Sequence, residues 1–244
     1  MVLLQLENPM RFITIYVAQM LVCLWFAYLA IRILTRDRKR LNLIFAGFYI
    51  SGVIGNIFNF IYGPIANEEI VLVLNYLTNF GLFYAPIFLV VFELILLRSE
   101  QVINTTKQLA ILIGFGILMF CMIFFVLTPG WGVSLNDSTN WAPVWELPFF
   151  LYVICIESIF AVGPIFYLSF RVYKKFEDEQ LKTKWKKFIL GFCALMVFVY
   201  GIFLSNFLAS LGINIRTVMG IVGIIAGIAG GYLMYTGVGR QLEK

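Results

Sequence analysis

Glu157 is the residue whose type and position most plainly ask for chemistry. It lies inside an apolar run, 147–171, that is otherwise charged only at its edges, by Glu146 and Arg171. A run of that length crosses a bilayer as a helix, and at 1.5 Å per residue Glu157 falls within about 5 Å of its centre. An acidic side chain there costs a few kcal/mol or more. It therefore needs a proton, a hydrogen-bonding partner such as Asn206 or Gln19, or a cationic ligand, since no lysine or arginine lies at its depth. The competing reading is a neutral buried acid with a structural role only.

Other polar side chains gather at a similar depth. Gln19, Asn56, Asn59, Asn75, Asn79, Ser205 and Asn206 fall in the outer half of their segments, with Tyr16, Tyr62 and Tyr76 at or above that level. Residues three or four apart share a helix face. This aligns Tyr16, Gln19 and Cys23 on the first segment, Gly52, Asn56, Asn59 and Gly63 on the second, and Asn75, Asn79, Leu82 and Pro86 on the third. Each asparagine alone reads as interhelical glue, worth about 0.6–2 kcal/mol per hydrogen bond in a membrane. As a layer that includes an acid, they read equally as the lining of a small polar cavity open to the outside. The expected ligand-binding set is Gln19, Asn56, Asn59, Asn79, Glu157 and Asn206.

Glu93 is a second acid in an apolar run, but it lies near the inner end of its segment beside Arg98 and is expected to snorkel to the interface. Each acid shares a helical face with a proline seven residues away, Glu93 with Pro86 and Glu157 with Pro164. A proline removes a backbone bond and can kink a span, so Pro86 and Pro164 are the expected hinges. Small residues recur at every fourth position at Gly223, Gly227 and Gly231, and again at Gly47, Ser51 and Gly55. That spacing lets helices approach closely, within the bundle or in a homodimer.

The elements that must position these groups follow from composition. The 244 residues are 61% hydrophobic and 13% charged, against about 45–50% and 25% in soluble domains, and mean hydropathy is +0.93. Apolar runs at 11–34, 41–63, 70–97, 108–128, 147–171, 187–211 and 216–237 predict an all-α membrane protein, a single domain of seven transmembrane helices. Alternate connections hold Arg36, Arg38, Lys39 and Arg40, then Arg98 and Lys107, then Arg171, Lys174, Lys175, Lys182, Lys184, Lys186 and Lys187, with Arg240 and Lys244 on the tail. The opposite side holds only Arg11 and Arg216. The bias predicts a cytoplasmic C-terminus and an outer N-terminus in the cell membrane, and it assigns the net charge of +5 to orientation and lipid headgroups, with no nucleic acid as partner.

The first run has no basic region before it and no small-residue cleavage site, so it is expected to stay as a span. The connection 174–187 is expected to extend the fifth and sixth helices. The loop 129–146, with Trp131, Trp141 and Trp145, reads either as an interfacial anchor or as a lid.

Several chemistries lack their residues. There is no histidine, and Cys23, Cys121, Cys155 and Cys193 each sit alone in an apolar run, so neither a metal site nor a cofactor is expected. The seventh run has no lysine for a retinal Schiff base. No phosphate loop or nucleophile set appears, so an enzyme is not expected. No repeat links the first three runs to the last three, which weakens a transporter built from duplicated halves.

One arrangement resembles the seven-transmembrane sensory region at the N-terminus of certain histidine kinases. The similarity is carried by the third helix, 74–98 (LNYLTNFGLFYAPIFLVVFELILLR), with its internal proline, by the aromatic-rich outer loop before the fifth helix, and by the basic stretch 171–187. The resemblance implies a bundle that senses something at the outer face or within the membrane and passes a helix movement to a cytoplasmic output module, here supplied by a separate partner or a longer chain. The expectation is a non-enzymatic sensor or receptor-like bundle binding a small or lipophilic ligand in the polar layer. Its rivals are a small transporter or channel using Glu157 as proton or cation site, and a structural subunit that docks a partner through its glycine-lined seventh helix.

Overall fold

A backbone in lipid has no water to bond with, so each crossing segment must satisfy its own amides, which the helix does. The computed structural model describes residues 16–239 except 18 and 37. It is 83% helical, and among the described residues six helices are long and apolar enough to cross a membrane. This is the architecture of a multi-pass membrane protein. The helices are α1 (Met20–Arg36), α2 (Arg40–Tyr62), α3 (Glu68–Arg98), α4 (Thr105–Leu127), α5 (Leu147–Lys175), α6 (Glu179–Ser210) and α7 (Arg216–Val238). The regular part of α1 has 17 residues. The start of the expected first span lies outside the described residues, as do Arg11, Arg240 and Lys244.

Helix ends carry the expected chemistry. Asn67 Oδ1 accepts the Ile70 N–H at 3.0 Å and Asn104 Oδ1 accepts that of Lys107 at 2.9 Å. Glu68 and Glu69 begin α3 and Arg98 ends it, matching the helix dipole. α6 starts at Glu179, ahead of the apolar run at 187, so the connection 174–187 extends the sixth helix. Asp178 caps it by accepting the Gln180 N–H at 2.7 Å. Trp185, only 3% exposed, docks this basic turn onto the core.

α3 is the spine of the bundle, packing along α2 and meeting α4 and α5. α6 and α7 form a second close pair, and α1 lies on α2 with a contact to α7. The α2–α3 approach is backbone to backbone. A Cβ on Gly55 would stand 2.8 Å from Leu82 N and Thr78 O, and one on Gly81 would stand 2.8 Å from Gly55 Cα. Ser51 Oγ donates to Gly81 O at 2.7 Å beside this contact. Gly191 and Gly230 do the same for α6 and α7, each Cβ position lying 2.6 Å from the other's carbonyl oxygen.

Two aromatic clusters fill the bundle. Phe83, Trp145, Phe149 and Phe203 meet at the end covered by loop 129–146, the loop end. Phe45, Phe92, Trp185 and Phe188 meet toward the opposite, basic end. Leu24, Ile113, Phe124 and Ile225 point outward and are exposed, as a lipid-facing surface requires.

The glycine contact is testable. Gly55→Ala is expected to cost about 1–3 kcal/mol, because the atoms it meets are backbone and cannot swing away. Gly114, with nothing within 4 Å of its Cβ position, is expected to tolerate alanine with no loss. Melting temperatures of the two variants in the same detergent make the comparison.

Candidate functional site

α5 is not one uniform helix. Between Leu147–Ile156 and Gly163–Lys175 lies a π-helical turn, Glu157–Val162. Pro164 has no N–H and its ring crowds the carbonyl four residues back, that of Phe160, so the turn before it widens. The Gly163 N–H bonds to Ser158 O, five residues back, and a Cβ on Gly163 would stand 2.8 Å from that oxygen. Pro86, by contrast, sits in an uninterrupted α-helix. Of the two expected hinges, only Pro164 coincides with a switch to π-helical bonding.

Glu157 opens the widened turn. It is fully buried, at 0% exposure, and neither carboxyl oxygen has a hydrogen-bond partner. The turn packs against α3. Ser158 Oγ and Tyr200 Oη lie 2.7 Å apart, and Tyr200 is within electrostatic range of Glu157. Glu157 is a buried carboxyl with both oxygens free of hydrogen bonds, next along the chain to the Ser158–Tyr200 hydroxyl pair.

Several of the remaining polar residues pair with one another. Asn59 donates to Gln19 Oε1, Asn75 donates to Tyr62 Oη at 3.0 Å, and Asn79 donates to Asn75 Oδ1 at 3.0 Å. Asn56 turns back to its own helix, donating to Gly52 O at 2.9 Å. Asn206 is buried on α6 beside Ser205, whose hydroxyl donates to Ile202 O at 3.1 Å. Glu157 is hydrogen-bonded to neither Asn206 nor Gln19. The polar layer is thus a belt joining α1, α2 and α3, with the acid standing apart on α5.

Glu93 departs from expectation. It does not snorkel: it is 0% exposed, and Ser169 donates to its Oε1 while Oε2 has no partner. Ser169 O in turn accepts the Trp185 N–H at 2.9 Å, which links α3, α5 and α6. Near this end Lys175 donates to Leu97 O at 3.0 Å, at the carbonyl terminus of α3. Ser169, Tyr200 and Ser158 were not singled out in the sequence. The available signal was their position as isolated hydroxyls on the apolar runs that carry, or pack against, the acids.

Loop 129–146 covers the bundle end. Val133 and Ser134 pair antiparallel with Trp145 and Val144, and a short turn at Asp137–Thr139 lies between them. Trp145 is inserted, at 0% exposure, with its ring centroid 4.9 Å from Phe149 and 5.5 Å from Phe203. Trp141 is held by its N–H to Asp137 Oδ1 at 2.7 Å, and Arg216 donates to Pro143 O at 2.7 Å from the start of α7. Trp131 alone of the three is exposed. The loop is a plug seated in the core.

The small-residue stripes face inward. Gly47 lies under Phe88, Gly223 and Gly227 under Phe198, and Gly231 against Phe26, Leu29 and Trp25. Comparison with known protein families and with curated proteins gives no match.

Trp145→Ala is expected to cost about 3–5 kcal/mol, the range for emptying a large aromatic site. Trp131→Ala is expected to cost under about 0.5 kcal/mol, as for exposed positions. Thermal unfolding of both variants checks the plug.

Proposed function

We propose that the chain is a seven-span bundle of the cytoplasmic membrane, N-terminus outside and C-terminus inside, that acts as a non-enzymatic sensor. Glu157 takes a small proton-donating or cationic ligand, and the widened turn of α5 converts its occupancy into a movement of the helix half leading to the basic α5–α6 hairpin. The supporting observation is a fully buried carboxyl with both oxygens unpartnered, placed in a π-helical turn ahead of Pro164. Such turns are frequent at functional sites, and an acid within a membrane rarely lacks a role. The plug makes lateral entry from lipid the natural route for a lipophilic ligand. For orientation, the support is that Arg36, Arg38, Lys39, Arg98 and Lys174 all lie at the end opposite the plug.

A second reading is favoured by Glu93. Two buried acids with open oxygens, at different depths, one on α3 and one in the turn packed against it, suit a proton path in a small transporter.

The test uses what the protein carries. Organic extracts of wild type and Glu157→Gln, purified in gentle detergent, are compared by mass spectrometry. A small molecule is expected in wild type and depleted about tenfold or more in the variant, as for loss of a charged hydrogen bond. Equal content would overturn the ligand role. In liposomes with a pH gradient, proton flux lost in both Glu157→Gln and Glu93→Gln would favour the transporter. Labelling of Asp137→Cys, but not Lys39→Cys, by an impermeant maleimide on intact cells is the outcome expected for the orientation.

A further inference from the structure

We infer that the groove between α1 and α7, toward the basic end, binds one anionic glycerophospholipid of the cytoplasmic leaflet; the inference rests on the orientation proposed above. The groove encloses about 260 Å³ and is lined by Trp25, Tyr28, Leu29, Arg32, Tyr232 and Tyr235. Trp25, Tyr28 and Arg32 follow one face of α1 at helical spacing, so an aromatic floor passes into a guanidinium as the helix approaches its basic end.

The floor is built. Trp25 stacks on Tyr28 with centroids 5.6 Å apart, lies 6.3 Å from Tyr232, and donates its N–H to Ile228 O at 3.2 Å. Tyr28 and Tyr232 remain 49% and 53% exposed, so each ring keeps a face open along the groove. At the deep wall Tyr235 is 8% exposed, its hydroxyl is buried without a partner, and the Arg36 guanidinium stands 5.2 Å over its ring.

Each part matches a part of the lipid. An acyl chain lies along the rings, a phosphate faces Arg32, and an ester oxygen is the acceptor that the Tyr235 hydroxyl lacks. The charge of the groove selects the headgroup. Among the described residues, α1 and α7 contain no acid and Arg32 is the charged residue lining the groove, so a net negative headgroup is favoured over a zwitterionic one.

The test reconstitutes the full chain in phosphatidylcholine vesicles containing a fraction of lipid with brominated acyl chains, either phosphatidylglycerol or phosphatidylcholine. Bromine quenches tryptophan on contact, and subtracting the Trp25→Phe variant isolates the Trp25 signal. Quenching by brominated phosphatidylglycerol is expected to be about fivefold more effective at equal mole fraction, the size of one basic side chain's attraction. That preference is expected to vanish in Arg32→Gln and to persist in Arg38→Gln, an exposed basic residue outside the groove. Equal quenching by the two lipids would overturn the inference, and so would an equal loss in both arginine variants, which marks general surface charge. Quenching by neither lipid would remove α1 from contact with lipid, overturning the proposed span as well. Should Arg32→Gln fail to fold, Tyr232→Leu serves instead: lower quenching by brominated phosphatidylglycerol is expected, and unchanged quenching would count against the site.

Discussion

Everything in this bundle depends on the approach of α2 and α3 at Gly55 and Gly81. Apolar side chains gain little by leaving lipid for one another, so helices in a membrane associate through close packing and the few hydrogen bonds that packing allows. Two glycines in mutual contact give α3 a partner at backbone distance, and the Ser51 hydroxyl bonds across the contact. Once α3 is held along one side, its other faces become protein interior. The Asn75–Tyr62 bond, the Glu93–Ser169 bond and the Phe83 cluster all use faces of that helix.

The two acids illustrate different solutions to the same problem. Glu93 is built into a relay of bonds from α3 through Ser169 to Trp185, so one oxygen is satisfied and three helices are tied together. Glu157 has no such tie, although hydroxyls of Ser158 and Tyr200 lie close by and bond each other instead.

Much of the fold was legible because apolar runs broken by charge or glycine leave few ways to place spans. α2, α3, α4, α5 and α7 begin and end within a few residues of those breaks. The apolar run alone does not give the first residue of α6, Glu179; the lysine-rich connection before it is helical, and Trp185 is buried on one of its faces. Depth was misleading for Glu93. α3 has 31 residues and is roughly 46 Å long, more than a hydrocarbon core of about 30 Å, so position along the helix did not report burial, which neighbouring helices decide. Trp145 was hidden for a related reason: tryptophan in a loop suggests an interface, and only the hairpin that turns it inward makes it core. The asparagines of the expected polar layer are buried, and their division into an α1–α2–α3 belt and a separate acid is a matter of which faces meet.

The widened turn of α5 carries a consequence for the length of the chain. An α-helix advances about 100° per residue, and a π-helical turn accommodates one residue more than the surrounding ladder needs. The two halves of α5 are therefore out of phase by about that angle, and each keeps its own apolar stripe. Removing a single residue from Glu157–Val162 would bring them back into phase, turning the side that holds Ser169 against Glu93 toward lipid. The spacing between Glu157 and Ser169 is in this sense a mechanical setting, as consequential for the bundle as the identity of either residue.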